Sequence, residues 1–238
     1  MFLKKAALAL VFLVGSVVAQ ASQLTLAGTW SDTTLTGTQN SVGVTSLTAP
    51  YSGDNLFVSL TFTVAAGSQL SANDFVSLWF DSGSSNADHT NVPNFGIKSD
   101  LSGSNDIFAR LSGVAGSAVS GSDITSASSS SDYTFTLVAQ LSKTGGSTTY
   151  NSLTVSFYDA ANNLVGSTTA TGNSGLSSIS TLGLRSANLD AGDSVTVSGL
   201  KLGTTLAAVS PVPEASTYAM MLAGLAMMGF IARRRIRD

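Results

Sequence analysis

The stretch NLFVSLTFTV, residues 55–64, places Leu56, Val58, Leu60, Phe62 and Val64 on one side and Ser59, Thr61 and Thr63 on the other. A period of two over ten residues is the signature of a half-buried β-strand, because successive side chains point to opposite faces. The same rhythm returns in YTFTLVAQL with Tyr133, Phe135, Leu137, Ala139 and Leu141. It returns again in SLTVSFYD with Leu153, Val155 and Phe157, and in DSVTVSGLKL with Val195 and Val197. Turn-forming stretches separate these segments: DSGSSNAD, DLSGSND, KTGGS, DAANN and LDAGD. No amphipathic helix is expected between residues 22 and 207. The pattern predicts an all-β fold, an antiparallel two-sheet β-sandwich of the jelly-roll kind. The serine-rich piece SGSDITSASSSSD, residues 120–132, reads as a mobile loop.

The chain contains no cysteine and only 11% charged residues. A scaffold held by disulfides is therefore excluded, and core burial alone must hold the fold. Within residues 22–207 the bases are Lys98, Arg110, Lys143, Arg185 and Lys201, and every acid is an aspartate. A nucleic-acid partner needs clustered Lys and Arg to replace phosphate counterions, so that class is set aside.

The two ends read differently from the body. Lys4 and Lys5 precede an apolar stretch from Ala6 to Val18, and Ala19 and Ala21 supply an A-x-A cleavage site before Ser22. This three-part pattern predicts a signal peptide over residues 1–21, removed by signal peptidase. The apolar stretch is short of the ~20 residues that a spanning helix needs. At the other end, residues 208–238 hold Val212, Pro213, Glu214 and Ala215, an apolar run over 218–232, and Arg233, Arg234, Arg235 and Arg237. As a helix that run of about fifteen residues would reach roughly 22 Å, a marginal span. The arginines would stay on the cytoplasmic side and leave the body outside.

This ending resembles the PEP-CTERM sorting signal of Gram-negative bacteria, with Ala215 where the usual motif has its second proline. The resemblance implies processing by exosortase after a transient stay in the inner membrane through the C-terminal helix. It then implies release to the outer surface or an extracellular polysaccharide matrix of the biofilm kind, and it makes Glu214 part of a recognition element rather than a catalytic acid. The segments NFGIKSD (94–100), DIFARLSG (106–113) and STLGLRSANLDAGDSVTVSGLKLGTT (180–205) resemble bacterial surface proteins with a concanavalin A-like, laminin-G-like sandwich. That fold hosts lectins, glycosidases and adhesion modules, so it implies an architecture and no activity.

Catalytic chemistry finds little footing. His89 is the chain's sole histidine, which rules out a multi-histidine metal site within one chain. It sits beside Asp88 in a loop, and without a G-x-S-x-G elbow it reads as a solvated loop histidine. Glycosidases of this fold generally use strand glutamates, and the only glutamate here is Glu214 in the tail. A secreted glycan hydrolase using paired aspartates is the alternative reading. Binding fits better. Asp81 and Asp88, with Asn86, Asn91 and Asn94, offer oxygen ligands of the kind calcium takes, or else form a hydrated turn. In DFVSLWFD, if Val76, Leu78 and Phe80 face the core, Trp79 stands outward. Phe108, Arg110 and Tyr158 then join it as a glycan-stacking surface. The opposite parity simply buries Trp79.

Overall fold

The alternating segments are strands, and they pair into two layers. The computed structural model describes residues 23–71, 73–83, 91–112, 116–124, 130–211 and 224–228. Among these, the strands are β1 (Thr33–Leu35), β2 (Gln39–Tyr51), β3 (Asn55–Val64), β4 (Phe75–Asp81), β5 (Asn94–Ser102) and β6 (Asn105–Arg110). They continue with β7 (Ser117–Ala118), β8 (Tyr133–Ser142), β9 (Ser152–Tyr158), β10 (Leu164–Thr171), β11 (Ile179–Ala187) and β12 (Val195–Gly203). One sheet runs β1-β12-β3-β8-β9-β10 and the other β2-β11-β4-β5-β6-β7. Every pairing is antiparallel. The predicted two-sheet antiparallel sandwich is the observed architecture.

The first sheet behaves as its sequence says. In β3 and β8, Phe62 lies opposite Phe135, and their rings stack at 5.5 Å. Phe157 of β9 meets Phe135 edge-on at 5.3 Å. All three rings are buried with Leu60, Leu137 and Val155 in one core between the sheets. On the opposite face the threonines pair across strands: Thr63 with Thr134 at 2.9 Å, Thr34 with Thr196 at 2.9 Å, and Thr154 with Thr169 at 2.8 Å. Cross-strand hydroxyl pairs satisfy polar groups on that half-exposed face.

The second sheet departs from simple alternation. All seven residues of β4 are buried, so both of its faces are covered. Its inner face supplies Val76, Leu78 and Phe80 to the core, with Phe95 of β5 at 6.0 Å from Phe80.

The serine-rich piece corrects one expectation. Its front half is pinned to β6 rather than free. The Ser122 hydroxyl donates to the Val119 carbonyl at 2.6 Å and accepts from the Ile107 amide at 3.0 Å. The Ile124 amide donates to Asp106 Oδ2 at 2.6 Å, and Ser122 and Ile124 are both fully buried. The body also runs slightly past its expected end. Beyond the short 3-10 turn Leu206–Ala208, Val209 is buried in a small cluster with Val138, against Phe57 and Tyr158. The expected signal peptide and its cleavage residues lie outside the described residues, as do the motif residues 212–215 and the arginine cluster. Of the apolar tail, residues 224–228 are described, and they are helical. Among the described residues no helix is long and apolar enough to cross a membrane.

Phe135 touches three aromatic partners, Phe62, Tyr133 and Phe157, in a close-packed layer, so Phe135→Ala leaves a cavity that neighbours cannot fill. The expected cost is about 3–5 kcal/mol. It should be read as a lower denaturant midpoint at unchanged slope. A loss under about 1 kcal/mol would show that the ring is not wedged between the sheets.

Candidate functional site

The outer face of the second sheet is where this fold stops being generic. With Val76, Leu78 and Phe80 committed to the core, Phe75, Ser77 and Trp79 point the other way. Register places Arg185 and Gly96 on either side of Ser77, and Gly183 and Asn94 on either side of Trp79. One strand further, Phe108 lies opposite Gly96 and Arg110 opposite Asn94. Residues directly opposite in an antiparallel pair share a face. The outer face is thus a grid in which Ser77 and Gly96 form a low floor, bounded by Arg185, Phe75, Trp79, Phe108 and Arg110.

Two glycines make this possible. A Cβ on Gly183 would run into the indole of Trp79, so glycine is what lets the ring lie flat over β11. The Trp79 Nε1 donates to the Leu184 carbonyl at 3.3 Å. Gly96 has φ +154, and a Cβ there would sit 2.9 Å from Ser77 Cα and collide with the Val76 carbonyl. No other residue fits that close approach.

Across the floor, the rings of Phe75 and Phe108 lie 5.2 Å apart. The Arg110 guanidinium stands 5.4 Å from the Phe108 centroid and 5.7 Å from that of Phe75. Arg185 approaches the same Phe75 ring at 5.1 Å. One phenyl ring therefore holds two cations, and each contact has the geometry of a cation–π pair. Both arginines are half-buried, and the Nε of each is buried without a hydrogen-bond partner. Burial, and then the like charge of Arg185, push the Arg110 pKa below its usual value. Lys98, opposite Phe75, adds a third cation to this face. Three of the five bases of residues 22–207 thus sit on one face of one sheet, in a body that carries twelve aspartates. Asn94 is 2% exposed; its Nδ2 donates to the Val92 carbonyl at 2.7 Å, while its buried Oδ1 has no partner.

The residues expected to form a glycan-stacking surface divide. Trp79 does lie on the outward side, yet it is 1% exposed, and Phe108 is fully buried. Neither can offer an open ring face, because β4 is covered on both sides; the choice between outward and buried was not a choice of parity. Tyr158 is on β9 of the other sheet, against Ala208 and Val209, so it does not share the surface at all. Arg110 lies half-buried on the outer face, opposite Asn94. Arg185 and Phe75, its partners, went unassigned. The available signal was Arg185 as the lone base on an otherwise uncharged strand. Asp81 is buried at the end of β4, and its Oδ1 accepts from the Ser82 amide. Asp88 and His89 lie outside the described residues. Among the described residues no group of three or more His, Cys, Asp or Glu is placed to hold a metal ion, so the described part of the calcium set does not by itself fit an ion.

A second polar cluster sits where the turns before β4 and β12 meet. Asp74 Oδ2 accepts from the Ser71 amide at 2.6 Å, and Asp193 Oδ1 accepts from the Gln69 amide at 2.9 Å. Each keeps one buried oxygen unpartnered. Burial chiefly, with the charges of Asp190 and Asp193, raises the Asp74 pKa, although the Ser71 hydrogen bonds oppose it. The Asp74 bond caps its own turn, whereas the Asp193 bond ties the turn before β12 to the one before β4.

Comparison with known proteins adds the following. A family model described as the PEP-CTERM protein-sorting motif matches residues 211–235. A search of curated protein sequences finds no match. Among solved structures the chain is similar to peanut lectin with a bound nine-residue peptide, at 11% identity over 80% of this chain and 94% of that one, TM-score 0.47. It is similar to the metal-free form of lectin I-B4 from Griffonia simplicifolia, at 15% identity over 80% and 95%, TM-score 0.47. It is also similar to the VIP36 exoplasmic/lumenal domain in its calcium- and mannose-bound form, at 14% identity over 81% and 84%, TM-score 0.47. The sorting motif marks the chain for export and exosortase processing. Behind a two-sheet antiparallel β-sandwich, this chain carries the PEP-CTERM protein-sorting motif.

Proposed function

We propose that the exported body binds an extracellular polysaccharide without cleaving it, as a structural or carbohydrate-binding component of a surface matrix. The observation that carries this reading is the outer face of the second sheet. There, rings and guanidinium groups surround a floor of small residues, with buried donors and an acceptor left unpartnered. Aromatic and apolar walls with a few convergent polar groups are the usual make-up of a ligand site. The sorting motif supports the location, since a chain so marked is exported to the surface.

In this reading the C-terminal segment holds the chain transiently in the inner membrane until exosortase acts. The processed protein then reaches the outer surface or the matrix. The hydrolase alternative has one foothold, the buried pair Asp74 and Asp193 with an unpartnered oxygen each. A pair of carboxyl groups is what glycoside hydrolysis uses.

The binding test is affinity electrophoresis of the processed protein in gels containing host matrix polysaccharide, with and without a chelator, beside a reducing-end assay. Retardation without new reducing ends is expected. Loss of retardation in the chelator lane alone would assign a cation to Asp81 and Asp88. Absence of retardation in both lanes contradicts the reading. New reducing ends that vanish in Asp74→Asn or Asp193→Asn would establish the hydrolase instead.

Mass spectrometry of the protein secreted by its host should find a C-terminus near Pro213–Ser216. An intact Arg233–Asp238 on the surface protein would leave a plain anchor in place of a processed signal. Replacing Arg233, Arg234, Arg235 and Arg237 by serine should weaken retention and slow processing, since basic flanks set membrane orientation. Normal processing of that variant would remove the role assigned to them.

A further inference from the structure

Resting on the polysaccharide-binding reading, we propose that Arg110 and Arg185, with Phe75, Phe108 and Asn94, form an acidic-sugar subsite. Its ligand is the carboxylate-bearing unit of an anionic polysaccharide, a uronic-acid residue.

Two guanidinium groups share the Phe75 ring, at 5.7 and 5.1 Å, and neither Nε has a partner. Half-buried like charges without a counter-ion are unfavourable, and a ring quadrupole offsets that only in part. Twelve aspartates were available in the body to neutralise them. Among the described residues, the charge that acts on Arg110 is nonetheless Arg185. A bound anion completes the arrangement. Arginine forks match planar carboxylates by paired N–H donors, which makes a carboxylate the fitting group.

The class of ligand follows from Asn94. Its Nδ2 is fixed by the Val92 carbonyl, so its other atom is the oxygen, and that Oδ1 is a buried acceptor without a donor. Sulfate or a simple carboxylate brings acceptors only. A sugar acid brings a carboxylate for the arginines and hydroxyl donors for Asn94 in one ring. Register places Asn94 directly beside Arg110 and two strands from Arg185, within the span of a single sugar unit or two.

The test uses the processed protein in affinity electrophoresis against polygalacturonate, neutral dextran and dextran sulfate at equal concentrations, with free galacturonate as competitor. Strong retardation by polygalacturonate, relieved by galacturonate, is expected. Arg110→Gln and Arg185→Gln should each weaken it by about tenfold or more. Lys201→Gln removes the same charge from the exposed face of the first sheet and should leave it unchanged. Arg110→Lys keeps the charge without the fork and should fall between. It also serves where the glutamine variant does not fold, as judged by thermal melting. Retardation by dextran but not by polygalacturonate would overturn the acidic-sugar inference and leave polysaccharide binding standing. Retardation by none of the three, nor by host matrix polysaccharide, would defeat both. Equal retardation by dextran sulfate, or indifference to the arginine variants, would overturn the subsite.

Discussion

A single apolar layer between two sheets carries this fold. No cysteine is present to staple it. Stability therefore rests on the register that brings Phe62, Phe135 and Phe157 from one sheet over Phe80 and Phe95 from the other. A slip of one residue would turn each of these faces outward, so the inner pattern fixes the pairing strongly. Everything on the outer faces follows from that commitment. Once Val76, Leu78 and Phe80 are inside, Phe75, Ser77 and Trp79 must be outside, whatever their polarity.

The two outer faces then take different courses. On the first sheet, threonine pairs hand hydroxyls to one another, as a water-facing surface does. On the second, an indole lies flat over a glycine and two phenyl rings meet under two guanidinium groups. A dry outer face with unpartnered donors and an acceptor is costly for stability alone. Local conflicts of that kind are where natural proteins place function. The same logic ranks the Asp74–Asp193 cluster lower, because each of those carboxylates already accepts from a backbone amide.

Legibility in the sequence tracked how local each signal was. Strands β3, β8, β9 and β12 have one dry face and one wetter face, so their period of two was visible, and the sandwich followed. The tail motif is a linear signal, and it was readable as a string. β4 hid its environment because both faces are buried, and no alternation distinguishes a covered outer face from an inner one. Alternation offers Trp79 as either outward or buried, and it is both; Phe108, offered as its outward neighbour, is enclosed too, and Tyr158 belongs to the other sheet. The approach of Arg110 to Arg185 depends on β11 pairing with β4, about a hundred residues earlier in the chain. Spacing along the sequence holds no record of that.

The most direct measurement is the arginine Nε–H spectrum of the processed protein. Of the six arginines in the chain, four lie in the tail, so after its removal only Arg110 and Arg185 contribute. The account predicts two resolved signals, both shifting and exchanging more slowly with water when polygalacturonate is added. Two signals that stay unmoved while the polymer binds would contradict it.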